Sequence, residues 1–225
     1  MSIEEDYKNF LTEFNNHLKS INHSALLVGV SKTKPIDDIV MLYNLGLRHF
    51  GENYAQELRD KIQQIPDNLK DIKWHYIGNI QENKIKYIVG KAHLIHTVDS
   101  IKKADAINTY CLKKEIVQPI LIQVNISEDL NKSGAKLNDV ENLYEKILSL
   151  EGLKINGLMT ITKYSKNPEN SRADYKKMRK LALSLEEVHG KSLELSMGMS
   201  NDYKVALEEG ATIVRVGTKI FGERI

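Results

Sequence analysis

Residues 26–35 read LLVGVSKTKP. Their apolar run, bounded by turn signals, predicts a short buried strand over 26–31, and Pro35 is a residue suited to starting the helix that follows. Two lysines, Lys32 and Lys34, stand at the strand's C-terminal end. Burying a lysine costs several kcal/mol unless it has a partner or a task.

Reading outward from this unit, apolar runs alternate with helical patterns along the chain. The predicted strands are 26–31, 47–50, 73–77, 93–97, 119–124, 154–160, 193–196 and 212–216. The predicted helices are 35–45, 54–64, 81–89, 100–114, 137–149, 169–188 and 201–208, with a short one at 218–222. An additional amphipathic helix opens the chain, with Phe10, Leu11, Phe14, Leu18 and Ile21 at helical spacing. Strict alternation implies parallel strands joined by right-handed crossovers. Closure of eight such units gives a (β/α)8 TIM barrel in the α/β class, preceded by an extra N-terminal helix. The competitor is an open doubly wound sheet, which normally stops at about five or six strands in a chain of this size. The 225 residues are expected to form a single domain, residues 1–225.

Composition narrows the function classes. A net charge of +2 gives no footprint for nucleic acid. No run of about 18 apolar residues and no leader pattern is present, so a soluble, cytoplasmic protein without membrane contact is expected. The one cysteine, Cys111, excludes an internal disulfide and reads as a passive helix thiol. The polar stretch Lys163–Arg172, which contains Pro168, reads as a mobile loop.

Chemistry in such a barrel sits at the C-terminal strand ends. Applied strand by strand, that rule collects Ser31-Lys32, Glu52-Asn53, Gly78-Asn79, Asp99, Asn125, Thr160, Gly198 to Ser200, and Arg215 to Thr218 at one rim. Gly198 and Ser200 after the seventh strand, with Gly217 and Thr218 after the eighth, are small residues that let backbone N–H groups and hydroxyls approach an anion. The barrel's usual phosphate site lies there. A lysine among apolar walls has a depressed pKa and attacks carbonyls as a neutral amine. Lys32 plus a phosphate cradle therefore leaves two ligand classes: a sugar phosphate held by a class I aldolase, or pyridoxal 5′-phosphate held as a Schiff base. Arg215 lies two residues before Gly217 and shares its strand face, which would place a guanidinium near a pyridine nitrogen. An aldolase would need a carboxylate beside its lysine, and only Glu52 and Asp99 stand near the rim.

Eight blocks now carry a resemblance: VSKTKP (30–35), FGENY (50–54), WHYIGNIQENK (74–84), QVNIS (123–127), KSG (132–134), GLMTI (157–161), SMGMS (196–200) and VRVGTKIFGER (214–224). In this order over almost the whole chain, they resemble the pyridoxal phosphate homeostasis proteins, a family related in fold to the barrel domain of alanine racemases. Asn79 and Ile80 depart slightly from the usual form of the third block. The resemblance implies a cofactor, pyridoxal 5′-phosphate, with Lys32 forming the Schiff base and Ser200, Gly217 and Thr218 holding the phosphate. It also implies that Arg215 faces the pyridine nitrogen and that Asn53 lines the ring pocket. Strand alternation puts Lys32 and Lys34 on the same side; with Pro35 starting the next helix, Lys34 has already left the barrel end, which favours Lys32, and the resemblance makes that choice firm. His75 and Lys132 fall in these blocks without an assigned role, and His75 reads as a satisfied core histidine.

The resemblance further implies a cofactor carrier or buffer without established catalysis, handing pyridoxal 5′-phosphate to apo-enzymes that depend on it, and acting as a monomer. The alternative is an amino-acid racemase-like enzyme. An arginine cannot give up its proton near neutral pH, so the ring opposite it stays a weak electron sink, which disfavours aminotransferase chemistry. A two-base racemase needs a second acid/base across from the lysine. In alanine racemases that group comes from a further domain, for which no residues are expected after Ile225. Tyr54, Tyr76 and Tyr164 are the formal candidates within the chain.

Overall fold

The structure is a computed structural model and describes residues 2–129 and 132–222. Its helices are α1 (Ile3–Ser20), α2 (Ile36–Asn44), α3 (Ala55–Gln64), α4 (Ile101–Lys114), α5 (Val140–Leu148), α6 (Arg172–His189), α7 (Tyr203–Glu208) and α8 (Thr218–Phe221). Its strands are β1 (Leu26–Val30), β2 (His49–Glu52), β3 (Lys73–Tyr76), β4 (Leu94–Val98), β5 (Gln118–Asn125), β6 (Ala135–Lys136), β7 (Leu153–Met159), β8 (Glu194–Ser196) and β9 (Ile213–Val216). Neighbours pair in the order β1-β2-β3-β4-β5-β7-β8-β9. Parallel pairing of β9 with β1 closes the barrel, with Val28 opposite Arg215.

Strand alternation sorts the apolar residues into two layers. Val28, Leu94, Leu121, Met159 and Ile213 fill the barrel interior as one small cluster. Their sequence neighbours point the other way: Ile95, Ile120, Leu158 and Val214 join Ile39, Leu42, Leu58 and Ile107 between the sheet and the helices. Each such side chain, removed fully from water, contributes about 1.5–3 kcal/mol. The opening helix α1 starts in a capping box in which the Ser2 hydroxyl accepts from the Glu5 N–H and the Glu5 carboxylate accepts from the Ser2 N–H. It packs Phe10 and Phe14 on Tyr203 of α7, with ring centroids 5.2 and 6.2 Å apart. Cys111 is buried on α4, as a passive thiol would be. Among the described residues, no helix is long and apolar enough to cross a membrane.

Three local features differ from expectation. The helix predicted over 81–89 is a 3₁₀ segment, Glu82–Tyr87. Its buried residue Ile85 and the buried Ile88 that ends the segment are three apart, and a three-residue turn brings such positions into line. The two-residue strand β6, absent from the sequence reading, pairs Ala135 with Val124 beyond the barrel proper. The stretch predicted as a mobile loop is bonded down: Asn167 caps a short 3₁₀ turn at Pro168–Ser171, and Asn170 and Asn201 both reach Ser165.

Candidate functional site

The pairing of β1 with β9 decides how the predicted residues meet. Because Val28 lies opposite Arg215, the strand ends Val30 and Gly217 lie side by side, and a Cβ at Gly217 would stand 3.5 Å from the Val30 Cβ. Lys32 follows two residues beyond Val30 and is half-buried. Lys34 is turned elsewhere, its Nζ donating to the Phe221 carbonyl at 2.8 Å.

The loops after β8 and β9 are joined directly. The Ser200 hydroxyl accepts from the Gly217 N–H at 3.3 Å, which brings Ser200, Gly217 and the exposed Thr218 into one rim segment. Gly198 makes this approach feasible: its φ is +90°, and a Cβ there would stand 2.6 Å from that of Ala206. Asp202 holds the same turn by accepting from the Met199 N–H at 2.8 Å.

Arg215 lies below this segment, buried inside the barrel. Its guanidinium donates to the Ser196 hydroxyl at 2.5 Å and to the Thr160 carbonyl at 2.9 Å. Burial pulls its pKa down to about 10, which still leaves it cationic near neutral pH. Asn53, just past β2, has a buried side-chain oxygen with no hydrogen-bond partner among the described residues. It borders an open cavity of about 270 Å³ together with Gly78, Thr97, Gln123, Lys132 and Ile161. That cavity shares only Asn53 with the predicted set; the remaining predicted residues belong to β9 and to the segments that follow β1, β8 and β9.

Glu52 and Asp99, the carboxylates an aldolase would draw on, are held by lysines on the barrel's outer helices. Glu52 is buried, accepting from Ser31 Oγ at 2.5 Å and from Lys61 Nζ at 2.8 Å, and burial raises its pKa although Lys61 pulls it back. Asp99 accepts from Lys103 Nζ at 2.8 Å. Neither is left as an unpaired acid/base at the mouth.

Comparison with known proteins gives the chain its relatives. Residues 11–225 match the family model described as alanine racemase, N-terminal domain. A pyridoxal phosphate homeostasis protein of Aquifex aeolicus is 45% identical over 201 residues, covering 89% of this chain and 87% of that protein. The chain belongs to this family. Among solved family structures, PipY of Synechococcus elongatus with pyridoxal phosphate bound is 33% identical with a TM-score of 0.82, covering 92% of this chain and 99% of that one. A further solved structure, that of an unknown protein from Bifidobacterium adolescentis, is 29% identical with a TM-score of 0.92, covering 97% of this chain and 94% of that one.

Two features of this family member lay outside the sequence reading. Lys132 borders the mouth cavity, where its amine donates to the Thr162 carbonyl and burial lowers its pKa. His75 is a satisfied core histidine, as read, but its partners are two further histidines, His49 and His96. Nothing in their spacing of 26 and 21 residues signals such a contact.

Proposed function

We propose that the protein binds pyridoxal 5′-phosphate at the rim formed by β1, β8 and β9, and carries or buffers it for apo-enzymes that depend on it. The observation that carries this reading is the register of β1 against β9, which brings the chain leading to Lys32 alongside Gly217 and the strand that bears the buried Arg215. The donor set fits the group. Lys32 supplies the amine for an aldehyde, and Ser200, Gly217 and Thr218 supply hydroxyls and first-turn N–H groups for a phosphate. Arg215 supplies a permanent donor for a pyridine nitrogen, and the unpartnered oxygen of Asn53 is an acceptor for a polar ring substituent. When bound, the cofactor supplies a reactive aldehyde and an electron-withdrawing ring.

The chain's own residues set how far that chemistry goes. Arg215 can only donate, so it offers the ring nitrogen no proton to keep, and the electron demand of the ring stays low. The rim carboxylates are occupied by lysines, which leaves release by an incoming amine as the simplest task of the site. Family members bear the name pyridoxal phosphate homeostasis protein, and PipY is described with pyridoxal phosphate bound. Both support the same role in this chain.

The test is direct. Protein mixed with pyridoxal 5′-phosphate should turn yellow, and borohydride reduction followed by peptide mass mapping should place the label on Lys32. A Lys32→Ala variant that is still labelled at Lys34 defeats the assignment. Solvent deuterium exchange into a panel of L- and D-amino acids should stay at the level of free cofactor; exchange with turnover would establish the racemase-like alternative instead.

A further inference from the structure

Beneath the rim, the barrel interior holds a line of hydrogen bonds that the cofactor reading does not use. His49 Nδ1 meets His75 Nε2 at 2.9 Å, His75 Nδ1 meets His96 Nε2 at 2.8 Å, and His96 Nδ1 meets Ser196 Oγ at 2.9 Å. Ser196 in turn accepts from Arg215 at 2.5 Å. The line runs from the first residue of β2 through β3, β4 and β8 to β9. It crosses an interior otherwise filled by Val28, Leu94, Leu121, Met159 and Ile213.

Elementary donor and acceptor counting fixes its direction. A guanidinium has no acceptor, so Ser196 Oγ accepts from Arg215. The hydroxyl has a second lone pair, but it is buried, and among the described residues His96 Nδ1 is the one partner that can take its own proton, which makes Ser196 the donor to His96. A neutral imidazole has one N–H and one bare nitrogen. His96 therefore carries its proton on Nε2 and gives it to His75 Nδ1; His75 does the same toward His49 Nδ1. All three rings are forced into one tautomer, each with its bare nitrogen on the side of the cation. Burial keeps them neutral, pushing His75 and His96 well below the usual histidine value and His49 down to about 4. Among the described residues no carboxylate ion-pairs with Arg215, and the aligned dipoles stand where a counter-ion would otherwise be needed. The titratable and charged groups facing the line are Arg215, with Tyr175 and Asp202 near it, at the upper end, and Lys73 and His93 at the lower. The His93 ring lies 5.8 Å from His75 and 6.0 Å from His49.

We propose that Ser196, His96, His75 and His49 form a tautomer-locked relay that holds Arg215 as a cationic donor at the cofactor ring and couples that ring to the opposite end of the barrel. The proposal rests on the pyridoxal phosphate reading for what Arg215 faces, but not for the relay itself. The four residues act through Arg215 and are positioning residues. A proton added at His49 Nδ1 would meet the N–H of His75 head-on, so a change at the lower end has to be absorbed along the line up to the guanidinium.

Two measurements separate the parts. Nitrogen-15 NMR of the imidazoles in cofactor-free protein should find His49, His75 and His96 all protonated on Nε2, and Ser196→Ala should disturb the His96 and His75 signals together. A proton on Nδ1 of His75 or His96 in the unsubstituted protein overturns the relay. In cofactor-loaded protein, His49→Gln, a change at the half-buried far end, should shift the pH midpoint of the bound cofactor's visible absorbance. An unchanged midpoint overturns the coupling, and this variant decides the matter even where Ser196→Ala does not fold. Failure to take up pyridoxal phosphate would overturn the cofactor reading and with it the coupling, while the tautomers still decide the relay.

Discussion

Arg215 is the residue on which stability and binding pull in opposite directions. It is a buried cation, its charge met by a serine hydroxyl, a backbone carbonyl and aligned dipoles instead of a carboxylate. Taking a charge out of water costs several kcal/mol, and exchanging a whole buried ion pair for apolar chains of similar volume is often neutral or stabilising by about 1–4 kcal/mol. Arg215 ion-pairs with no carboxylate among the described residues, so it leaves no charged partner stranded when it is exchanged. Arg215→Met should therefore leave the cofactor-free protein melting no lower than the unsubstituted one, while weakening its hold on pyridoxal 5′-phosphate. Thermal melts with and without cofactor read both effects, and a large drop in the cofactor-free melt would mean that Arg215 is there for the fold. Lys61 presents the reverse case. It neutralises Glu52 inside the sheet–helix layer, so removing it strands a buried carboxylate.

At the scale of elements, the site depends on how closely the strand-end loops approach one another. A Cβ on Gly78, just past β3, would stand 1.7 Å from the Asn53 carbonyl oxygen just past β2. Backbone cannot yield as a side-chain tip does. Gly78→Ala should force the two loops apart, cost about 1–3 kcal/mol of stability as overpacking does, and weaken cofactor uptake through Asn53. Chemical denaturation and cofactor titration would register the pair of effects, and a variant as stable and as well loaded as the parent would contradict the argument. This approach also marks where sequence stops being informative. Strand alternation was enough to find the barrel strands and to set Arg215 and Gly217 on one face, because a period of two is local information. The Ser200 to Gly217 bond and the histidine line were not legible, since they depend on which strands lie side by side and, for His96 and Ser196, on a contact across the barrel, which bring residues 17 to 100 positions apart together. The segment at Glu82–Tyr87 is helical, as expected, but its 3₁₀ type was not legible, because the spacing of Ile85 and Ile88 satisfies both periods. Choosing Lys32 over Lys34 likewise needed more than periodicity; the tie of Lys34 to Phe221 is tertiary.

For the whole molecule, the interior histidines make folding a function of pH. Both His75 and His96 are buried and bind protons far less readily than an unfolded chain does, first because of desolvation and then because of neighbouring positive charge. Their native pKa values lie below the unfolded value of about 6.5. Above that pH neither state carries the extra protons, and the stability associated with neutral histidines is fully present. As pH falls below it, the unfolded chain takes up protons that the native barrel refuses, so stability declines by about 1.4 kcal/mol per pH unit for each histidine. Together the two fully buried rings should remove roughly 2.7 kcal/mol per unit once pH is well below 6.5. His49, half-exposed and with its pKa lowered to about 4, adds in the same direction. Denaturant midpoints measured from about pH 7 down to about pH 5 should therefore fall steeply. Replacing His75 and His96 together by glutamine should flatten that decline even if the starting stability is lower, because glutamine has no proton to gain. A decline of unchanged slope in the double variant would place the acid sensitivity elsewhere, in carboxylates such as Glu13 whose pKa is lowered chiefly by a hydrogen bond from Lys204.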